Sequence, residues 1–306
     1  MTSGDYWRYF FGLEFGGVLL FLLGLIRVRR TLSFTWDGLL PLGSAFVPLA
    51  LAVFGAEHLT SARNMMQVVP AWMPARLFWV YLVAFALIAA AFSIACGKYV
   101  RWSSPLLGFM FLLFVLCIHV PNAVTHPQDR FAWAVASRDL LFSLGAWALA
   151  ATLIGTPRQV SFCRVGMALV LMFYGVEHLL HPQFLPGVPL PQQTLPWIPL
   201  RSVCGYVEGA TLLACGGLIL TGRNARAAAT CVGVVTTVMV ILLYTPLFVV
   251  ARTPLEVITA INYIADTLLF AGSMMLLAGA LPANRSDVPI SAASHEIRQR
   301  LSGIAH

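Results

Sequence analysis

Apolar residues run along this chain in long unbroken blocks, without the alternation of a half-buried strand or the one-sided stripe of a surface helix. A helix needs about 20 such residues to cross the hydrocarbon layer of a bilayer. Nine blocks approach that length, at roughly residues 8–26, 38–59, 75–96, 102–121, 133–154, 160–180, 197–220, 227–250 and 257–280. The pattern predicts an all-α, polytopic integral membrane protein of about nine transmembrane helices. The first block is followed, not preceded, by Arg27, Arg29 and Arg30, the reverse of a cleavable signal peptide, so it reads as an anchor.

Composition excludes the alternatives. Of 306 residues 59% are hydrophobic and 10% charged, and the mean hydropathy is +0.83. Nineteen basic and 12 acidic side chains cannot coat a soluble globule of this size, which leaves no room for a soluble enzyme, a disordered chain or a nucleic-acid binder. The net charge of +7 is therefore read as topology. With the N-terminus outside, the cytoplasmic loops hold Arg27, Arg29, Arg30, Lys98, Arg101, Arg158, Arg164, Arg223 and Arg226. Arg285, Arg298 and Arg300 of the polar tail join them. The positive-inside rule thus predicts an external N-terminus and a cytoplasmic C-terminus in a bacterial inner (plasma) membrane. The six cysteines lie in or beside apolar blocks without C-x-x-C spacing and read as small core residues.

The chain repeats itself. Gly55-Ala-Glu57-His58-Leu returns 120 positions later as Gly175-Val-Glu177-His178-Leu. Trp72-x-Pro74-x-Arg76 returns as Trp197-x-Pro199-x-Arg201, His119-Val-Pro121 as Tyr244-Thr-Pro246, and Asp139 as Asp266. A drift of a few residues in the offset indicates one four-helix unit copied once. An even number of spans makes both copies enter from the same side, as parallel repeats. The expected organisation is an anchor helix (1–36), a first repeat (37–156), a second repeat (157–281) and a cytoplasmic tail (282–306), with the repeats as two bundles side by side.

Ionisable groups inside apolar blocks are costly and mark candidate sites. Here they are Glu14, Glu57, His58, His119, Asp139, Glu177, His178, Glu208 and Asp266, concentrated in the outer halves of the spans. Tyr174, Glu177, His178 and His181 are spaced to share one helix face. Glu177, His178 and Glu208 are the candidates for proton transfer; Tyr174, Arg201, Glu57, His58 and His119 are the candidates for holding a cofactor. His178-x-x-His181 has a spacing that two metal ligands on a helix can use. An interfacial, packing role for these polar residues is the competing reading. The copies also differ: His181-Pro182 and Glu208 face Ser61-Ala62 and Val83 in the first repeat. The proline-rich segment from Gln183 to Pro199 is expected to be stiff, either capping a cavity or only spacing two spans.

The second copy, through Gly175-Val-Glu-His178-Leu-Leu-His-Pro182, Pro196-Trp-Ile-Pro199, Tyr206-Val-Glu208 and Arg223-x-x-Arg226-Ala-Ala-Ala, resembles the DoxX/DoxD superfamily of four-helix membrane proteins. The first resembles it through Gly55-Ala-Glu-His58, Trp72-x-Pro74 and His119-Val-Pro-Asn122. The resemblance implies a tandem DoxX-like protein and a redox-associated role linked to quinone, with electrons delivered to a partner subunit, since the chain carries no haem, flavin or iron–sulfur motif. A non-enzymatic carrier of small solutes or lipid, or an assembly subunit, stands as the alternative.

Overall fold

In the computed structural model the described residues are 3–185, 187–189, 198 and 200–283, with side chains from residue 15 onward except at 201. They form α1 (Ser3–Val28), α2 (Gly43–Thr60), α3 (Arg76–Cys96), α4 (Val100–Thr125), α5 (Arg130–Ile154), α6 (Pro157–Leu180), α7 (Arg201–Thr221), α8 (Ala225–Val250) and α9 (Pro254–Ala280). There is no strand among the described residues. A single 3-10 turn, Asp37–Leu42, leads into α2. Eight helices, α2 to α9, are long and apolar enough to cross a membrane, which makes the chain a polytopic membrane protein. Within α1, the described side chains give a shorter apolar stretch, Phe15–Val28.

Helix starts follow from local chemistry. Thr156 caps α6 by accepting from the Gln159 N–H, with Pro157 at the first helical position. Thr253 and Glu256 form a reciprocal capping box ahead of α9, again with proline at the first position. In both cases the hydroxyl satisfies an amide left over at the helix start, and proline gives up an N–H that has no partner there.

The helices do not separate into the two bundles expected from the sequence. Within residues 37–156, α2 packs on α3, α3 on α4 and α4 on α5, but α2 and α5 do not touch; α2 lies against α9 instead. The second half is similar: α6 packs on α7, α7 on α8 and α8 on α9, and α6 lies mainly against α5, with a slight contact to α9. The result is a ring of eight helices closed by two exchanges, with α5 and α9 meeting across its middle. The exchange is favoured by small residues, because without water between helices close backbone contact supplies the attraction. Gly43 of α2 and Gly272 of α9 sit against each other's carbonyls, and Gly145 of α5 sits on Ser273 of α9. α1 lies outside the ring against α2 and α3. Large apolar side chains such as Phe85, Phe92, Phe109, Leu116 and Ile241 point outward, as a lipid-facing surface requires.

The α5–α9 contact yields the first test. A Cβ at Gly145 would stand 2.5 Å from the Ser273 Cβ, and both backbones must separate to admit it. We expect Gly145→Ala to cost about 1–3 kcal/mol. Gly217→Ala, with nothing within 4 Å of the added methyl, should be neutral or slightly stabilising. Thermal unfolding of the detergent-purified variants checks both.

Candidate functional site

The polar side chains gather at the end of the ring where α2, α4, α6 and α8 finish and α3, α5, α7 and α9 begin. Two of these helices carry a matched irregularity: α4 widens into a π-turn at Val115–His119 and α8 at Val240–Tyr244. Each is followed by a proline two residues on, Pro121 or Pro246. Proline lacks the N–H that would close a regular turn, and its ring collides with the carbonyl four residues earlier. A wider turn relieves both conflicts and re-aims the residue at its end. In α4 that residue is His119, whose Nε2 donates to Asp139 Oδ2 at 2.9 Å.

Asp139 opens an ionic chain through the centre of the ring. Arg138 Nε donates to Asp139 Oδ1 at 2.9 Å, and Arg138 Nη1 reaches across to Asp266 Oδ2 of α9 at 2.7 Å. Both carboxylates are buried, and the imidazole is the more open end, with 22% of its side chain exposed. Asp266 Oδ1 is buried with no partner. One turn earlier on α9, Asn262 Nδ2 donates to Glu57 Oε1 of α2 at 3.0 Å. Asp139 of the first half and Asp266 of the second therefore share a single guanidinium.

Of the four residues spaced along α6, three stay together and take different partners. Tyr174 is fully buried and its hydroxyl donates to the Ala134 carbonyl at 3.0 Å. Glu177 Oε2 accepts from Arg130 Nε at 2.7 Å, the Arg130 guanidinium also lying 4.8 Å from the centre of the Phe184 ring. Arg130 Nη2 is a second buried atom without a partner. His178 is buried, and its Nε2 accepts from the Gly187 N–H at 3.3 Å. His181 lies beyond the helix end, with its ring near Phe184. The metal reading gains nothing from this: among the described residues no three His, Cys, Asp or Glu side chains come together to hold an ion.

Gly187 has φ +127°, and a Cβ there would overlap the Tyr244 hydroxyl. The proline-rich segment is thus pinned between His178 of α6 and Tyr244 of α8. Leu185, Val188 and Ile198 are buried in the bundle. Where described, the segment acts as a plug, which goes beyond the spacer role. Pro186, Pro191, Pro196, Trp197 and Pro199 lie outside the described residues, as do the side chains of Glu14 and Arg201.

The remaining candidates separate by environment. His58 Nδ1–H donates to the Phe54 carbonyl at 2.7 Å, one turn back on its own helix, away from the ionic chain. Glu208 is buried at 6% exposure, with no ion pair or hydrogen bond to another described residue. The chain of residues that the sequence left out of the site is Arg138 and Arg130. For Arg138 the signal was there: an Arg-Asp pair within the apolar block 133–154 needs a reason to be in lipid.

Compared with family models, with curated proteins and with solved structures, the chain matches none.

Removing one partner of a buried ion pair strands the other, whereas removing all of them strands none. We expect Arg138→Met to cost about 3–5 kcal/mol. The triple variant Arg138→Met/Asp139→Asn/Asp266→Asn should recover most of that loss. Denaturation in mixed micelles measures both.

Proposed function

We propose that this chain is a tandem DoxX-like protein of the bacterial inner membrane, with α1 as a ninth span, and that it serves as a quinone-linked redox subunit. Residues 37–156 and 157–281 are the two copies, both entering from the same side, with the N-terminus outside and the C-terminus in the cytoplasm. Support for the duplication comes from the paired π-turns, the paired exchange contacts and the left-handed residues Gly97 and Gly222 at matching helix ends. Support for the orientation comes from arginines collected at the end opposite the carboxylates.

The observation that carries the redox reading is the uncommitted Asp266 Oδ1 in a cluster of fixed charge. Two carboxylates, one guanidinium and a neutral imidazole sum to one negative charge, which a single added proton cancels, and Asp266 and His119 are the two ends of the cluster where we place it. Arginine stays protonated and does not conduct; Arg138 couples the two positions through its charge. When Asp266 is protonated, Arg138 and Asp139 balance each other and His119 is neutral. When Asp266 gives its proton up, the second negative charge is balanced by an imidazolium at His119, which draws a proton from the aqueous end. Proton loss in the membrane interior is thereby matched by proton gain at the surface.

Such a site suits a lipid-soluble hydrogen carrier. A quinone taking two electrons and two protons needs a buried acid near its carbonyl oxygen, and its quinol needs the corresponding base. Asp266 is the thirteenth residue of α9, about 18 Å along the helix, at a depth a quinone ring can reach. The chain carries no electron-carrier motif: a partner subunit supplies the two electrons when the quinone is reduced and takes them when the quinol is oxidised, and Asp266 exchanges one of the two protons while the other is exchanged with water. Glu177 and His178 act here through Arg130 and the Gly187 plug, as positioning residues.

A path through the membrane is disfavoured. Beyond Asp266 the neighbours turn apolar, and the void lined by Val47, Phe111, Phe142 and Leu269 has a volume of about 10 Å³, room for no more than one water.

Extraction and chromatography of the detergent-purified chain should find close to one quinone per molecule. Asp266→Asn, which keeps the shape and removes the titratable oxygen, should lower occupancy about tenfold or more. Absence of quinone from the wild type, or equal occupancy in the variant, would sink the redox reading.

A further inference from the structure

The opposite end of the ring carries a cleft of about 770 Å³ between the ends of α1, α3 and α5 and the starts of α2 and α4. Its rim is formed by Arg27, Tyr99, Arg101 and Trp102. Its apolar lining comes from Ile94 and Leu149, which are buried, and Leu153 and Ile154, which are exposed. No carboxylate lines it. Among the described residues neither arginine meets an acid, and the Arg101 guanidinium lies 5.2 Å from the centre of the Trp102 ring. Arg27 is held over the rim by the chain itself: Gly97 has φ +69°, and a Cβ there would overlap the guanidinium.

The second half shows what the same position looks like when it is closed. Gly222, Asn224 and Arg226 stand 125 positions after Gly97, Tyr99 and Arg101, and the same left-handed turn leads into α8 as into α4. There, however, Arg226 Nε donates to Asp37 Oδ1 at 2.7 Å, and Nη1 donates to the Ala278 and Leu281 carbonyls at 2.9 Å. Arg164 takes the place of Arg27, next to Gly222, and donates to the Ile219 and Leu220 carbonyls. Internal oxygens therefore satisfy both cations in the second half. In the first half the counterpart arginines face an open cleft and, among the described residues, make no hydrogen bond to a carboxylate or carbonyl oxygen.

The geometry points to this cleft as a binding site for one anionic glycerophospholipid, its headgroup phosphate taking between Arg27 and Arg101 the place that Asp37 takes beside Arg226. The phosphodiester supplies the missing acceptor oxygens, which arginine matches well. The aromatic rings of Tyr99 and Trp102 sit at headgroup level, where such rings are favoured. Leu149, Leu153 and Ile154 then lie along the first methylenes of an acyl chain. Basic pockets between helices at a membrane surface are suited to this class of ligand. The site lies at the far end from the ionic chain and does not depend on the redox reading.

The test uses the full chain purified in detergent, titrated with phosphatidylglycerol in phosphatidylcholine, with bound lipid counted by native mass spectrometry. We expect Arg27→Gln/Arg101→Gln to weaken phosphatidylglycerol binding about thirtyfold, while Arg158→Gln, an exposed arginine at the same end but outside the cleft, stays within about twofold of wild type. Leu153→Trp, which enlarges a residue of the apolar lining and keeps both arginines, should also lose the lipid. Inorganic phosphate should not displace it. Undiminished binding in the double variant, equal loss in Arg158→Gln, or displacement by inorganic phosphate overturns the proposal. The first would mean no site here, the second only diffuse charge, and the third a soluble anion. If the double variant fails to fold, the Leu153→Trp result decides alone, and retained lipid there overturns the proposal.

Discussion

One guanidinium shared by two buried carboxylates organises this molecule. Arg138 joins Asp139 on its own helix to Asp266 on α9, and α5 and α9 are the two helices that meet across the ring. Taking three charges out of water is costly, and their mutual attraction offsets that cost only while the geometry holds. The cluster therefore constrains how the halves meet: a slide of α9 along α5 would strand a carboxylate in a non-polar interior. The glycine contacts at Gly145 and Gly272 pull the backbones together, but small residues permit several registers. The ion pairs select one.

The two halves of the ring resemble each other in their turns and contacts, and they differ in the chemistry at each end. At the carboxylate end, the π-turn of α4 presents His119 to Asp139, while the equivalent turn of α8 presents Tyr244 to the Gly187 plug. An imidazole bonded to a buried carboxylate stands in one half, and a phenol packed against the Gly187 turn stands in the other. At the arginine end, the second half closes its own helix termini with Arg164 and Arg226, and the first half leaves the matching position open. α1 adds a further inequality, since it covers α2 and α3 whereas among the described residues no helix takes the matching place against α6 and α7.

Much of the fold was legible in the sequence because lipid leaves few options: a backbone in hydrocarbon must satisfy its hydrogen bonds internally, so each apolar block becomes a helix. The block at 75–96 is α3, Arg76–Cys96, almost to the residue. The helix exchange was not legible, because an apolar face does not say which apolar face it meets. The site was half legible. His119, Asp139 and Asp266 stood out as charges in lipid and are joined through Arg138, whereas Glu57, which stood out as well, takes Asn262. Arg138 was passed over because an arginine near a span's start also reads as one reaching for the interface; what singles it out is Asp266, 128 positions away. His178 and His181 share a spacing but not a surrounding, since the helix ends between them and His181 leaves with the chain.

The account turns on a single exchangeable proton held between Asp266 and His119. The most direct measurement is infrared difference spectroscopy of the purified chain across a pH step, reading the protonated-carboxyl stretch in the wild type and in Asp266→Asn. The account requires one carboxyl band that responds to pH, shifts in heavy water and disappears in the variant. A wild type without such a band, or a band that persists unchanged in Asp266→Asn, would contradict it.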